Sequence, residues 1–226
     1  MEDAAARSDR LMGAFYSSEL ADYLARMGRH QEALKAYAEG RWLKPGNVYS
    51  YLLPAHLHVE LGQYQEAIAL LERASHLRMR GCEDRIRLLL GQAWRLAGDS
   101  RRAVEVLTRF AESRLSGVYP GTAAAARCWA YESLLWAGER QVAEEALDYC
   151  QTAMIEHRDA VSGVVELVRW RALQALRRRK EANELLNKIR LMASDAGFWG
   201  QFLRDDIPPS EPRRTKRRLD RQRGGR

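Results

Sequence analysis

The stretch ARMGRHQEAL at residues 25–34 decides the fold, because variants of it return four times along the chain. Each copy holds a glycine, replaced by Arg177 in the fifth, and an alanine five residues later. The alanines are spaced 34, 36, 40 and 39 residues apart, a period typical of arrays of one supersecondary unit. The later copies are VELGQYQEAI at 59–68, RLAGDSRRAV at 95–104, LWAGERQVAE at 135–144 and ALRRRKEANE at 175–184.

Each unit is predicted to be two helices with a break at the glycine. Apolar residues recur at helical spacing before and after the break. A glycine there permits the positive φ that ends a helix. The repeated alanine is predicted to lie where the two helices cross, because a larger side chain would push them apart. In the third unit the apolar positions are Leu90, Trp94 and Ala97 before Gly98, and Ala103, Val104 and Leu107 after it.

This pattern resembles the tetratricopeptide repeat (TPR), a 34-residue helix pair with the signature W-x2-L-G-x2-Y…A-x3-F…P. Leu90-Gly91 matches the leucine–glycine step, Ala33 with Tyr37 matches A-x3-F, and Pro45 matches the closing proline. The resemblance implies an all-α solenoid of about five TPR-like helix hairpins with a C-terminal capping helix and a disordered basic tail. The fourth and fifth units depart from the pattern, with bulky Tyr131 and Trp170 where a small residue is usual.

The predicted domain organisation has three parts: an N-terminal extension at 1–13, a TPR-like superhelical domain at 14–207, and a basic tail at 208–226. A solenoid needs a cover on its terminal repeat, and the apolar GFWGQFLRD segment predicts a cap at 197–207. Pro54 falls in the first helix of the second unit, so that helix either starts near Pro54 or is kinked there. The repeats are expected at 14–47, 48–81, 84–117, 124–157 and 163–196.

The net charge of +7 comes almost entirely from the tail. Residues 211–226 carry eight basic and two acidic residues, so the other 210 residues sum to only +1. A nearly neutral body does not favour a nucleic-acid-binding domain. The tail itself is expected to be mobile, dispensable for folding and capable of non-specific, salt-sensitive contact with polyanions. Its candidate residues are Arg213, Arg214, Lys216, Arg217 and Arg218.

No catalytic or cofactor motif is present, so the sequence predicts a protein that is not an enzyme and needs no metal or cofactor. It lacks G-x4-GK, G-x-G-x-x-G, HExxH and G-x-S-x-G. The only close histidine pair, His56 and His58, would point to different sides of a helix. The longest apolar run has five residues, too few for a membrane span, and no secretory signal is visible. Three widely spaced cysteines fit a reducing cytoplasm.

The resemblance implies that the first helix of each hairpin lines a concave groove that binds ligands. Aromatic and arginine side chains are the usual anchors of interfaces. We therefore expect the groove to bind an acidic and apolar protein segment, with Asp22 and Glu132 limiting how acidic it is. Arg95 is expected to be exposed and dispensable for stability, and Trp136 fits the groove and the core equally well. The candidate groove residues are Tyr49, Leu52, His56, Arg85, Gln92, Arg95, Trp136 and Arg171.

Three functions remain open at this point: a protein-binding scaffold, which is favoured; a nucleic-acid-associated protein that uses its tail; and a bacterial secretion or pilus-assembly chaperone. A clamp for the C-terminal carboxylate of Hsp70 or Hsp90 is disfavoured. Among the positions that such clamps use, only Arg85 has a suitable side chain, and Asp22 would repel a carboxylate. The positions compared are Ser18, Asp22, Leu53, Arg85 and Leu89. The partner and the oligomeric state are left open.

Overall fold

A computed structural model describes residues 4–77, 81–113 and 117–195. The predicted cap at 197–207 and the basic tail, including its five candidate polyanion-binding residues, lie outside the described residues. Within the described ranges all regular structure is helical, which confirms the all-α prediction. The five hairpins are α1 (Ala4–Arg26) with α2 (His30–Leu43), α3 (Tyr49–Glu60) with α4 (Tyr64–His76), α5 (Glu83–Leu96) with α6 (Ser100–Ala111), α7 (Pro120–Trp136) with α8 (Ala143–Glu156), and α9 (Arg158–Ala175) with α10 (Arg179–Asp195).

Helix α1 begins at Ala4, ten residues before the predicted start of the first repeat at residue 14. The first three residues of α1 are alanines, and alanine has the highest intrinsic helix propensity. Most of the predicted N-terminal extension is therefore part of the first helix rather than a separate segment.

The break in every hairpin has the same backbone conformation. Gly28, Gly62, Gly98 and Gly138 have φ between 73° and 90°, and Arg177 takes the same left-handed region with φ of 59°. The amide of the following residue donates to the carbonyl five positions earlier, for example Arg178 N to Leu173 O at 2.9 Å. This is the Schellman arrangement that ends a helix and satisfies its last carbonyls. The fifth, degenerate copy of the motif thus keeps the turn without its glycine.

Replacing Arg177 with glycine is expected to stabilise the protein by about 1 kcal/mol, because a residue with a Cβ is strained in the left-handed region. Chemical denaturation with urea measures the change. The reciprocal variant Gly98→Ala, at the equivalent turn of the third hairpin, should lose a similar amount although nothing crowds its Cβ. A stabilising Gly98→Ala would show that the turn conformation does not carry the effect.

The repeated alanines occupy one equivalent position, as predicted. Four of them are the fourth residue of the second helix of their hairpin. In the fourth hairpin a 3-10 turn at Arg140–Val142 supplies the first three positions, so Ala143 keeps the register. All five are buried, as their predicted place at the helix crossings requires: Ala33, Ala67, Ala103, Ala143 and Ala182.

Pro54 lies inside a continuous helix rather than at its start. Helix α3 runs from Tyr49 to Glu60 with Pro54 buried in its first half. Proline has no amide hydrogen, so the carbonyl of Ser50 loses its usual intrahelical donor. The Nη1 atom of Arg41, on the preceding helix, approaches the Ser50 carbonyl oxygen at 3.5 Å and gives it a replacement donor.

The core is continuous from α3 to α9, and the two ends have smaller clusters of their own. Helices α5 and α6 approach each other closely at Gly91, because a Cβ there would lie 2.6 Å from the side chain of Leu107. Cys150 is fully buried, as expected for a core position, and Trp170 packs in the core beside α10. Helices α7 and α9 pack directly against each other, so the first helices of the last two hairpins are in contact.

Candidate binding groove

The eight candidate groove residues separate into an exposed group and a covered group. Tyr49, Arg85 and Trp136 are exposed, whereas His56 and Gln92 are half-buried. Leu52 has only 1% of its surface exposed and belongs to the central core, so its prediction as a ligand contact is wrong. Its helical spacing from Tyr49 fits either surface, and burying a leucine side chain stabilises the fold by about 1.5–3 kcal/mol. Arg95 and Arg171 are also largely covered.

A buried carboxylate explains why these two arginines are covered. Glu132, on α7, has 1% of its side chain exposed, and Arg95 and Arg171 have 8% and 13%. The Nη1 atom of Arg95 lies 3.2 Å from Oε2 of Glu132, and the Nε atom of Arg171 lies 2.5 Å from Oε1. Because the arginines come from α5 and α9, this charge cluster joins the first helices of three successive hairpins.

The expectation that Arg95 is exposed and dispensable for stability is wrong. Its guanidinium is held under the inner surface by Glu132, where an unpartnered charge would be costly. From the sequence, Glu132 was expected only to limit how acidic the ligand can be. A signal for its role exists, because one polar or charged residue stands six positions before the break in all five units. That column consists of Asp22, His56, Gln92, Glu132 and Arg171.

Trp136 lies on the surface and covers the charge cluster from outside. It is 56% exposed, so it is not a core residue. The guanidinium carbon of Arg171 lies 4.0 Å from the centre of its ring, which is cation–π stacking, and 5.6 Å from the ring of Trp170. One face of the Trp136 indole is therefore occupied by Arg171, and its remaining exposed surface can contact an apolar ligand group.

A second aromatic and arginine pair lies where α3 meets the start of α5. The pKa of Tyr49 is raised, chiefly by a hydrogen bond between its side chain and Cys82. The positive charge of Arg85 opposes this rise. Tyr49 and Arg85 are both exposed. Their surface is distinct from the Trp136 surface, and Gln92 lies between Arg85 and Arg95 along α5.

Two other polar residues of the inner face, His56 and Asp22, already have partners. Nδ1 of His56 lies 3.2 Å from Oε1 of Glu60, one helical turn later. The hydroxyl of Tyr37 donates to Asp22, and burial together with this carboxylate raises the pKa of Tyr37. Asp22 and Glu132 are thus both engaged within the protein, so they oppose an acidic ligand less than their charges alone suggest.

Neither a metal centre nor a membrane span is found in the described part of the chain. No group of three or more histidine, cysteine or acidic side chains within residues 4–77, 81–113 and 117–195 could hold a metal ion. In the same ranges no helix combines the length and the hydropathy needed to cross a bilayer.

Solved structures with the same architecture have low sequence identity to this chain. YrrB, a TPR protein with an unusual peptide-binding site, is 18% identical with a TM-score of 0.54, over 76% of this chain and 82% of YrrB. A Podosopora anserina chain, described as a kinesin light chain with nearly identical TPR-like repeats, is 20% identical with a TM-score of 0.57. A point variant of that chain is 21% identical with a TM-score of 0.58, and both matches cover 80% of this chain and 94% of that chain.

No protein-family model matches the sequence, and no curated protein is similar to it. The evidence for its classification is therefore structural: helix hairpins in one register, the repeated left-handed turn, and the similarity to TPR structures. At identities of 18–21% this similarity shows the fold and nothing more specific. The chain has the fold of tetratricopeptide-repeat proteins, an all-α solenoid of helix hairpins.

Proposed function

We propose that the protein is a non-enzymatic adaptor that binds an acidic and apolar protein segment along its inner face. The observation that carries the proposal is the exposed indole of Trp136 beside the Glu132 cluster, together with the exposed side chains of Tyr49 and Arg85. The peptide-binding site of YrrB, which has the same fold, supports a segment of polypeptide as the ligand.

The two exposed surfaces suit different parts of such a segment. Arg85 can pair with a ligand carboxylate through charge-assisted hydrogen bonds, and Tyr49 beside it offers an apolar ring with a polar tip. Trp136 can receive an apolar side chain on its exposed surface. Arg171 acts indirectly, because it stacks on the indole while it remains paired with Glu132.

The proposal is tested by selecting ligands from a peptide library displayed on phage, with the full-length protein as bait. We expect selected peptides to combine acidic with aromatic or aliphatic residues. Enrichment of basic peptides, or no enrichment above a matched library of scrambled hits, would contradict the proposal. A pull-down with and without nuclease tests the nucleic-acid alternative, because partners lost on nuclease treatment favour contact through the tail.

Substitutions at the two surfaces should then weaken binding to a selected peptide. Arg85→Ala and Trp136→Ala are each expected to raise the dissociation constant by about tenfold, the loss of one interface anchor. Fluorescence anisotropy of a labelled peptide measures the change. Arg101→Ala, on the exposed side of α6, is the matched control and should bind as the parent does. Equal affinity for all three variants would place the binding surface elsewhere.

A further inference from the structure

One face of helix α1 exposes an unusual row of large apolar side chains. They follow one another at spacings of four, four, three and four residues, which places them along one face of the helix. Each is roughly half exposed, and Phe15 extends the row on one side. The row consists of Met12, Tyr16, Leu20, Tyr23 and Met27.

The equivalent face of every other first helix is used for packing. Counted back from the left-handed residue of each turn, the positions of Tyr16, Leu20 and Tyr23 correspond in the other hairpins to residues that are mostly buried. Each of those helices packs against the second helix of the hairpin before it: α3 on α2, α5 on α4, α7 on α6 and α9 on α8. The buried equivalents are Ser50, Pro54 and Leu57 in α3, Ile86 and Ala93 in α5, Ala126, Ala130 and Ser133 in α7, and Val165 and Ala172 in α9.

The exposed face of α1 is therefore equivalent to the helix-packing face of the other hairpins, and it is apolar where an exposed helix face is usually polar. Its residues are also larger than most of their buried counterparts. Six half-exposed side chains of this size present on the order of 600 Å² of accessible surface. That is close to the roughly 800 Å² per partner of a standard protein interface.

We propose that this α1 face binds the same face of a second copy of the chain, with the two α1 helices antiparallel. Charge supports this occupant: exposed Asp9 lies near one end of the row and exposed Arg26 near the other, whereas exposed Glu19 flanks the middle of the row and favours neither orientation. An antiparallel pair brings Asp9 of each copy towards Arg26 of the other, whereas a parallel pair would bring like charges together. The contact is isologous, because the same patch serves both copies, and it therefore closes at a dimer.

The arrangement leaves the inner face free. In the antiparallel dimer the two arrays extend from a shared α1 contact, and the Glu132 cluster lies in the third to fifth hairpins of each copy. The proposal is therefore independent of the proposed peptide binding, and each can fail without the other.

Sedimentation equilibrium of the full-length protein, from about 1 to 100 μM, tests the proposal. We expect a reversible dimer of the 25.9 kDa chain and at least a tenfold higher dissociation constant for Leu20→Arg. The matched control is Ile155→Arg, at an exposed apolar residue of α8, which should dimerise as the parent does. Unchanged circular dichroism and thermal unfolding confirm that the variants fold. A monomer throughout, or equal loss in both variants, would overturn the proposal.

Two further variants test the occupant and the orientation. Trp199→Ser, in the apolar segment at 197–207, should not affect the dimer. If this variant lost the dimer, or if the parent formed larger species that depend on Trp199, that segment would be the occupant of the α1 face. Either result would overturn the proposal. Arg26→Asp should weaken the dimer, and the double variant Asp9→Arg with Arg26→Asp should restore it. Failure of the double variant to restore assembly would contradict the antiparallel arrangement.

Discussion

Glu132→Ala is expected to lower the free energy of unfolding by about 3–5 kcal/mol, the largest effect of any single substitution considered for this protein. The variant removes the carboxylate that holds Arg95 and Arg171, both largely covered, and leaves two guanidinium groups close together with no charge between them. Burying a charge without its partner costs far more than losing an exposed ion pair. Urea denaturation followed by circular dichroism measures the loss.

The matched control for this prediction is Glu144→Ala, an exposed glutamate in the first turn of α8. Its removal should change stability by about 0.5 kcal/mol or less, as for most surface substitutions. Similar losses in the two variants would mean that the Glu132 cluster is solvated and does not join the three hairpins.

Ala67→Phe is expected to destabilise the protein by roughly 1–3 kcal/mol through overpacking. Ala67 is fully buried at the crossing of α3 and α4, where Leu71 and Ala74 of the same helix are also fully buried. A phenyl ring there has to push the two helices apart or displace core side chains from their preferred rotamers. The midpoint of urea denaturation should fall accordingly.

Ala69→Phe is the control, because Ala69 lies in the same helix but is exposed. It adds the same ring and the same change in helix propensity without entering the core. If the two variants were equally stable, the repeated alanines would not lie at the closest helix approach, and the match between sequence register and packing would be accidental.

The repeated local features were predictable from the sequence because they depend on local chemistry. The glycine of each unit specifies a left-handed turn, and the alanine that follows it specifies a close crossing within the same hairpin. Arg177 shows the strength of this signal, since the register alone places it where the other units have glycine, and it adopts their conformation. The start of α1 was missed because an alanine-rich extension and a helix cannot be distinguished by the repeat, which has no copy there.

The site was less predictable because it depends on contacts between hairpins. Arg95 lies under the surface because Glu132 of the next unit binds it. Leu52 is buried because α3 packs against its neighbouring helices. No periodicity within one helix reports how closely α7 approaches α9. The polar residue six positions before each turn indicated that Glu132 and Arg171 occupy equivalent positions in their hairpins. Only the packing of the helices shows that the two side chains touch.

In a solenoid, neighbouring hairpins can tilt against one another, and this tilting changes the pitch of the superhelix. The ion pairs of Glu132 connect three consecutive hairpins on the inner side. Tilting of these hairpins would change the distances between the paired side chains. We therefore expect the ion pairs to restrict tilting among the third, fourth and fifth hairpins before any ligand arrives. A segment that binds there meets a surface of set shape, so less freedom has to be lost on association than on a flexible array.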